Sequence, residues 1–398
     1  MRIERFEDVW LIGGVRSAFG RFGGALRDVS MVDLGQQVIR AALGRLDWPP
    51  ESLAEINVGI GMIEAGLMVP ARQIAVAAGL SDDLPSLTVD RACCSGATTV
   101  GLGSRAIELG AGSVLCVGVE TMSRTPRLVH GTRWGTRLGS LEVEDLLLMH
   151  SPIADEAIAK YVGEVALEHG VGRAEQDGWA LLSQQRHAEA TARQFFDGEI
   201  TPVDTPQGRF LADEHPRPDT TLEALAQLPT VRNSPTVTAG NAPGLNDGAV
   251  ALVLANGSNA RAGGRAALAR VAAYLQMAES PTSSAYLPGL AIRQLMAEHD
   301  LKPEDLDVIE INEAYAATPL VSVRRLVEND LALEEALLQR TNVNGGAVAM
   351  GHPIGASGAR LVLTAARQLG ETGGHWAAVA ICGGFGQTDA LLLEAVDA

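Results

Sequence analysis

The sequence predicts an α/β protein built from two duplicated βαβαβ halves with a loop domain inserted between them. Three observations carry this. Short apolar runs alternate with Gly- and Ala-rich helical stretches, the same order of elements occurs twice, and the stretch between the two occurrences breaks the pattern. A chain of 398 residues is ample for a large core and more than one domain. Aromatic residues make up only 4%, so that core must be packed from Ala, Val, Leu and Ile around Gly, as in layered α/β proteins.

The first half opens with the strand VWLIGG. A helix follows over 31–43, with apolar residues at Val32, Leu34, Val38, Ile39 and Leu43 on one face. Residues 56–60 read as a strand, 71–78 as a helix and 87–89 as a short strand. That strand runs into CCSGATTVGLGSRAIELG, a Gly/Ala helix, and 114–119 reads as a buried strand. The alternation implies a largely parallel sheet with helices on its faces. The C-terminal third repeats the order: strand 271–275, helix 288–299, strand 308–311, helix 318–329, a turn into a second Gly/Ala helix, and strand 377–381. Ser95-Gly96-Ala97 opens one Gly/Ala helix and Ser357-Gly358-Ala359 opens its counterpart. A repeat this long means duplicated domains, not a solenoid. Two such halves pack around a pseudo-two-fold axis, which brings the helix start at Cys93 and the strand end at Cys382 towards one crevice. The expected division is 1–120 with 246–268 for the first half, 121–245 for the loop domain, and 269–398 for the second half. The loop domain is polar and Arg-rich and contains an amphipathic stretch over 175–196, which suits a lid or clamp.

Composition excludes several classes. The net charge is −17, so nucleic acid and anionic membranes are unexpected partners. Lys160 and Lys302 are the two lysines; the other cations are arginines. Arginine suits fixed phosphate recognition, although biased genome composition explains the total more simply. The four cysteines, Cys93, Cys94, Cys116 and Cys382, are too few and too irregular for a disulfide scaffold or zinc ribbon. A reducing, cytoplasmic location is expected, and neither end reads as a targeting signal. No apolar run approaches the ~20 residues that span a bilayer.

Cys93 sits in VDRACCSGATTV, where a strand gives way to a helix. Free N–H groups and the partial positive charge of a helix N-terminus lower a thiol pKa and can hold an oxyanion. A small buried cysteine is an equal alternative on local sequence alone. Cys94 and Cys116 read as core. His352 is fixed between Gly351 and Pro353 at a second strand-to-helix corner, which suits a general base, a cap or packing. Cys382 ends a buried strand in ICGGFGQ, where the glycines allow close backbone approach and supply unhindered N–H donors. Asn312 ends the strand VIEIN and could orient a water or cap the next helix. His150 stands apart from the other histidines as a possible site residue. GIGMIEAG fails the dinucleotide fingerprint because Glu64 occupies its third glycine position, and DEHP lacks partner spacing for a metal.

Taken together, these segments resemble the thiolase family. DRACCSG is similar to N-R-x-C-x-S-G, NEAYAAT to N-E-A-F-A, and CGGFG to C-x-G-x-G. NVNGGAVAMGHPIGASGAR is close to the family's His motif, and TVTAGNAPGLNDGA to T-V-T-A-G-N-A-S-G-x-N-D-G-A. The resemblance runs from about Val9 to Gly386, with the motifs in family order. It implies an αβαβα layered core and an acyl-CoA C-acyltransferase. The reaction implied is reversible CoA-dependent cleavage of a 3-ketoacyl-CoA, or Claisen condensation of two acyl-CoAs. Cys93 would carry the acyl group, His352 would take its proton, and Cys382 would move a proton at the α-carbon. Asn312 would hold a water that forms one oxyanion hole with His352; the N–H groups of Cys93 and Gly384 would form the other. Coenzyme A would be substrate and product, with no permanently bound cofactor and no metal. It would lie across the loop domain, against Arg217, Ala239 and Gly240, with His150 and Tyr315 as further contacts. A homodimer or homotetramer is expected. Departures are Asp90 for Asn, Pro243 for Ser, Cys94 and SGATT after Cys93, Met149-His150 where the family often has His-Met, and an unfamiliar loop over 124–146. Three other readings are a decarboxylating condensing enzyme, disfavoured by Cys382, a catalytically silent acyl-CoA-binding subunit, and a cysteine hydrolase using Cys93 and His352, which leaves Cys382 and the CoA segment unexplained.

Overall fold

Long runs of small aliphatic residues can be buried on both faces, and this chain uses them for a central sheet. The computed structural model describes residues 2–134, 138–262 and 266–396. Part of the 124–146 loop and short pieces of the two predicted halves therefore lie outside the described residues. The strands lie side by side in the order Leu306–Ile311, Trp376–Cys382, Gln387–Glu394, Ala269–Ala278, Trp10–Ser17, Asn246–Ala255, Ser113–Thr121, Glu55–Gly59 and Ser86–Val89. The two halves of this sheet meet where Ala269 pairs with Leu11 and Arg270 with Trp10, and the N-terminal strand Arg2–Arg5 also pairs along Ala269–Ala278.

The sheet is mixed, not largely parallel. Pairing is parallel between Leu306–Ile311 and Trp376–Cys382, and between Glu55–Gly59 and both its neighbours. It is antiparallel through the middle, where Asn246–Ala255 and Gln387–Glu394 insert. The first of these two strands is buried at every position and the second at all but its ends, so neither shows the alternation that marks a half-buried strand.

Helices Ser95–Glu108 and Ile354–Thr372 pack on each other between the two half-sheets, with apolar residues from both halves around them. Helices Met31–Arg45 and Pro70–Ala77 cover the outer face of the first half-sheet. Leu287–Glu298 and Ala317–Leu326 cover that of the second. The result is five layers, αβαβα.

The two central helices approach so closely that only glycine fits at the crossing. A Cβ on Gly96 would stand 2.7 Å from the Ala359 backbone nitrogen, and one on Gly358 would stand 2.4 Å from that of Ala97. Gly358→Ala is expected to destabilise the fold by about 3 kcal/mol, because neither helix backbone can yield without moving a half-sheet. Chemical denaturation of the variant against wild type measures this.

Between residues 121 and 245 lie helices Ile158–Glu168 and Arg173–Ala192, a short helix Leu222–Ala226 and small two-stranded ribbons. A buried ion cluster ties this region to the sheet. Arg16 donates from Nε to Glu199 at 2.9 Å and from one guanidinium nitrogen to Asp213 at 2.8 Å, and Thr364 donates to Glu199 at 2.8 Å. Asp213 of the DEHP segment is thus held by a cation within the fold.

Candidate active site

Cys93, His352 and Cys382 line one cavity of about 300 Å³, although they come from different elements and both halves. Cys93 lies between Val89, the end of a strand, and Ser95, the start of a helix. Ala92 before it has φ +49°, a left-handed conformation unusual for a residue with a Cβ. The turn is closed by Asp90, whose carboxylate accepts from the Ala92 N–H at 3.0 Å. An asparagine oxygen would do the same, so this departure leaves the corner intact. Ser95 accepts from the Arg91 N–H at 2.8 Å, and its hydroxyl stands 2.6 Å from the Ala92 carbonyl and 2.9 Å from that of Ile60, either of which can take its one proton.

His352 follows Gly351, whose φ of +102° is a glycine conformation. Its backbone N–H donates to Asn246 Oδ1 at 3.0 Å, and Asn246 in turn donates to the Gly20 carbonyl at 3.0 Å. Ser357 Oγ donates to the Pro353 carbonyl at 2.9 Å and lies 2.6 Å from His352 Nδ1. A serine hydroxyl has one proton, so with that proton on Pro353 it accepts from Nδ1–H. The Nε2 lone pair then faces Cys93 Sγ at 3.3 Å, ready to take the thiol proton. Asn312 Nδ2 stands 3.3 Å from the same Nε2.

Asn312 is placed by its neighbour. Glu313 is buried and accepts from Trp179 Nε1, Ser183 Oγ, Asn342 Nδ2 and the Val348 N–H at 2.8–3.0 Å. Those bonds fix the strand end, and the Asn312 N–H donates to the Ala380 carbonyl at 3.0 Å. Asn312 Oδ1 is buried without a protein partner. Asn312 is therefore engaged at the histidine rather than capping a helix with its side chain.

Gly384 and Gly386, with φ of +65° and +74°, fold the chain back after Cys382. Gly383 packs so tightly that a Cβ would stand 2.6 Å from Cys94 Sγ. This contact brings the two cysteine loops together. The Gly384 N–H faces the Cys382 sulfur. Cys94 and Cys116 are core: their thiols donate to the Ile381 and Thr99 carbonyls, each at 3.2 Å.

Burial governs the proton affinities here. It pushes the Cys93 thiol well above the usual range, with Cys382 and Glu120 adding to the effect. The helix N-terminus does not win, as the sequence had suggested, because desolvation outweighs it and the helix begins two residues later. Cys382 is pushed up to about 11 by burial. Burial, with a smaller contribution from Arg360, holds His352 down to about 3. The resting pair is thus a neutral thiol beside a neutral imidazole. Between about pH 6.5 and about pH 3 the unfolded chain binds a proton at this histidine and the folded chain does not, so stability falls as pH falls through that window. At about pH 5 the loss attributable to His352 is about 2 kcal/mol. Urea denaturation at about pH 7 and pH 5 should show a difference that shrinks by that amount in His352→Gln.

Arg217, Ala239 and Gly240 line a second cavity, also about 300 Å³, and Ala242 lines both. Tyr315 lines the first, and burial pushes its phenol up. His150 is placed elsewhere: it is exposed, 3.1 Å from Asp155, in a shallow depression with Lys160 and Arg232. Its neighbour Met149 reaches the first cavity instead. Pro243 also lines that cavity. Sequence reasoning missed Asn246 as the holder of His352 and Ser357 as the group that sets its tautomer. The signals were present, Asn246 in GLNDGA and Ser357 one and a half turns after the histidine. Among the described residues no group of three His, Cys, Asp or Glu side chains is placed to hold a metal, and no helix is long and apolar enough to cross a membrane.

Known proteins resemble this chain over nearly its whole length. Residues 9–258 match the thiolase N-terminal domain, and residues 265–395 match the thiolase C-terminal domain. The chain is 41% identical to a β-ketoadipyl-CoA thiolase of Pseudomonas knackmussii, over 98% of this chain and 99% of that one. It is 36% identical to an acetyl-CoA acetyltransferase of Pseudomonas aeruginosa, over 97% and 99%. The crystal structure of human mitochondrial 3-ketoacyl-CoA thiolase in complex with CoA superposes with a TM-score of 0.92 at 33% identity, covering 98% of each chain. The chain belongs to the thiolase family. Its activity is that of an acyl-CoA C-acyltransferase, with CoA as a substrate.

Proposed function

We propose that Cys93, His352, Cys382 and Asn312 carry the reaction, and that it runs by a ping-pong route through an acyl-enzyme on Cys93. The observation that carries this reading is the Cys93–His352 contact at 3.3 Å in a cavity that also holds Cys382. In the cleavage direction, His352 Nε2 takes the Cys93 proton as the sulfur attacks the 3-keto carbon. The carbon–carbon bond breaks, its electrons pass to the α-carbon of the departing acetyl-CoA, and the Cys382 thiol supplies the proton there. The imidazolium of His352 then returns its proton to the Cys382 thiolate; free CoA attacks the thioester on Cys93 as His352 takes the CoA thiol proton and passes it to the departing Cys93 sulfur, releasing the shortened acyl-CoA. The N–H groups of Cys93 and Gly384 face one developing oxyanion. Asn312, through a water, and His352 face the other. Condensation is the same path reversed.

The second cavity, with Arg217, Ala239 and Gly240, suits the body of coenzyme A, and Ala242 joins it to the reacting sulfur. An arginine fork on an acidic protein is well matched to a phosphate. Residues 121–245 act as the CoA-binding loop domain between the halves 1–120 with 246–268 and 269–398. The enzyme works as a homodimer or homotetramer in the cytoplasm, without a permanently bound cofactor. The likeness to a β-ketoadipyl-CoA thiolase makes β-ketoadipyl-CoA one substrate to try. The direct test is thiolysis of acetoacetyl-CoA by free CoA. Turnover that saturates with both substrates and gives parallel double-reciprocal lines is expected. Failure on this and on longer, branched and aromatic 3-ketoacyl-CoAs would leave a silent acyl-CoA-binding subunit as the better reading.

A further inference from the structure

The first cavity has two ways out. Ala242 lines both it and the second cavity, assigned above to coenzyme A, while Ala157 and Arg232 line both it and the surface depression around His150. Its walls are mainly apolar, with Leu147, Leu148, Ile158, Val162 and Val231 among them. With His352 neutral, Arg232 is the one charged side chain lining it among the described residues, and no carboxylate joins it there.

The backbone fixes where Arg232 stands. Residues 231–234 form a tight turn, in which the Ser234 N–H donates to the Val231 carbonyl at 2.9 Å and the Val231 N–H to the Val237 carbonyl at 2.9 Å. Both central residues, Arg232 and Asn233, are left-handed, with φ of +51° and +57°. Asparagine tolerates that conformation, whereas arginine adopts it less readily. Backbone held in such a sparsely populated region is concentrated at ligand clamps and active sites. The charge is also free. Lys160 in the same depression pairs with Glu156 at 2.7 Å and with Glu164 at 3.6 Å, and His150 faces Asp155 at 3.1 Å. Arg232 is exposed and has no hydrogen-bond or ion-pair partner among the described residues.

An apolar passage with one free guanidinium at its outer end matches a run of methylenes that ends in an anion. If the body of coenzyme A fills one way out and its thioester meets Cys93, the acyl chain is left with the other. We propose that Arg232 is a specificity residue that selects 3-ketoacyl-CoAs whose acyl chain ends in a carboxylate. This rests on the thiolase reading of the site, with coenzyme A in the second cavity, and adds the substrate class to it. The carboxylate stays at the solvent edge and keeps much of its hydration, while the guanidinium fork can take it by two hydrogen bonds. A methyl-ended chain of equal length gains nothing from the arginine.

The test compares thiolysis of 3-ketoadipyl-CoA with that of the methyl-ended 3-ketohexanoyl-CoA, and of 3-ketosuberyl-CoA with 3-ketooctanoyl-CoA. Wild type is expected to favour the carboxylate-ended member of at least one pair by about fivefold or more in kcat/KM, the size of one well-placed exposed ion pair. Raising the salt from about 0.05 M to about 0.5 M should shrink that preference. Arg232→Gln should remove it, and Arg232→Glu should reverse it by repelling the chain end. The side chain is exposed, so neither change disturbs the core. No preference in wild type at either length, or a preference that survives in Arg232→Gln, would overturn the inference. So would equal slowing of both members of each pair in Arg232→Gln, which would assign the guanidinium to a phosphate of CoA. Cleavage of acetoacetyl-CoA by wild type separates these outcomes from failure of the thiolase reading, since it reports the reacting groups and has no chain end to reach Arg232.

Discussion

Cys93→Ala is expected to lower kcat/KM for thiolysis by about 10⁴-fold or more, and to lower condensation equally. The reason lies in the order of events. If the acyl group must rest on a sulfur between the two half-reactions, a chain without that sulfur has no intermediate, and His352 has nothing to deprotonate. Incubating wild type with acetyl-CoA and weighing the protein should reveal one acetyl group, absent in Cys93→Ala. The neighbouring Cys94 cannot substitute, because its thiol is buried and donates to the Ile381 carbonyl. Cys94→Ser therefore serves as the comparison: it should keep the acetyl adduct. An adduct surviving in Cys93→Ala, or rates within tenfold of wild type, would exclude the covalent route.

The groups proposed to react stood out in the sequence because each sits at a corner whose residues announce it. Gly351 and Pro353 flank His352, the glycines of CGGFG follow Cys382, and the serine and glycine after Cys93 open a helix. The likeness of the two central helices was legible too, since the Gly/Ala stretches that meet at Gly96 and Gly358 are spelled alike. What could not be read is what depends on residues far apart in the chain. The strands Asn246–Ala255 and Gln387–Glu394 are buried runs without a period, so the mixed pairing through the middle of the sheet was invisible. The thiol of Cys93 was expected to be acidified by its helix, but desolvation raises its proton affinity, and Cys382 and Glu120, from distant segments, add to the effect by their charge. The tautomer of His352 depends on Ser357 finding the Pro353 carbonyl, a bond that exists only once the helix has formed. His150 was placed among the site candidates by its position along the chain, and a two-residue ribbon with Glu156–Ala157 turns it to the surface while Met149 faces inward.

The second large effect separates the two cysteines. Cys382→Ala should lower carbon–carbon cleavage and condensation by about 10³-fold, within the range for loss of a positioned general acid–base. It should leave acyl transfer between thiols largely intact. Moving an acetyl group from CoA to Cys93 and back breaks and forms only carbon–sulfur bonds, and the proton involved belongs to sulfur, where His352 serves. Cleaving the α-carbon bond is different, because a proton must reach carbon, and Cys382 is the thiol proposed to supply it. The measurement is exchange of labelled CoA into acetyl-CoA, run beside thiolysis of acetoacetyl-CoA on the same preparation. Exchange within about tenfold of wild type with thiolysis nearly lost assigns Cys382 to the carbon-centred proton. Equal loss of both would mean that Cys382 supports Cys93 itself, which its buried position beside that sulfur also permits. The thiol proton affinity, pushed up to about 11, bears on which outcome to expect. Cys382 is protonated at rest, as a donor to the departing carbanion must be, and its thiolate is basic enough to remove an activated thioester α-proton in the other direction. A resting thiolate at that position would be unable to act as the acid, so the burial that raises its proton affinity is itself part of the chemistry.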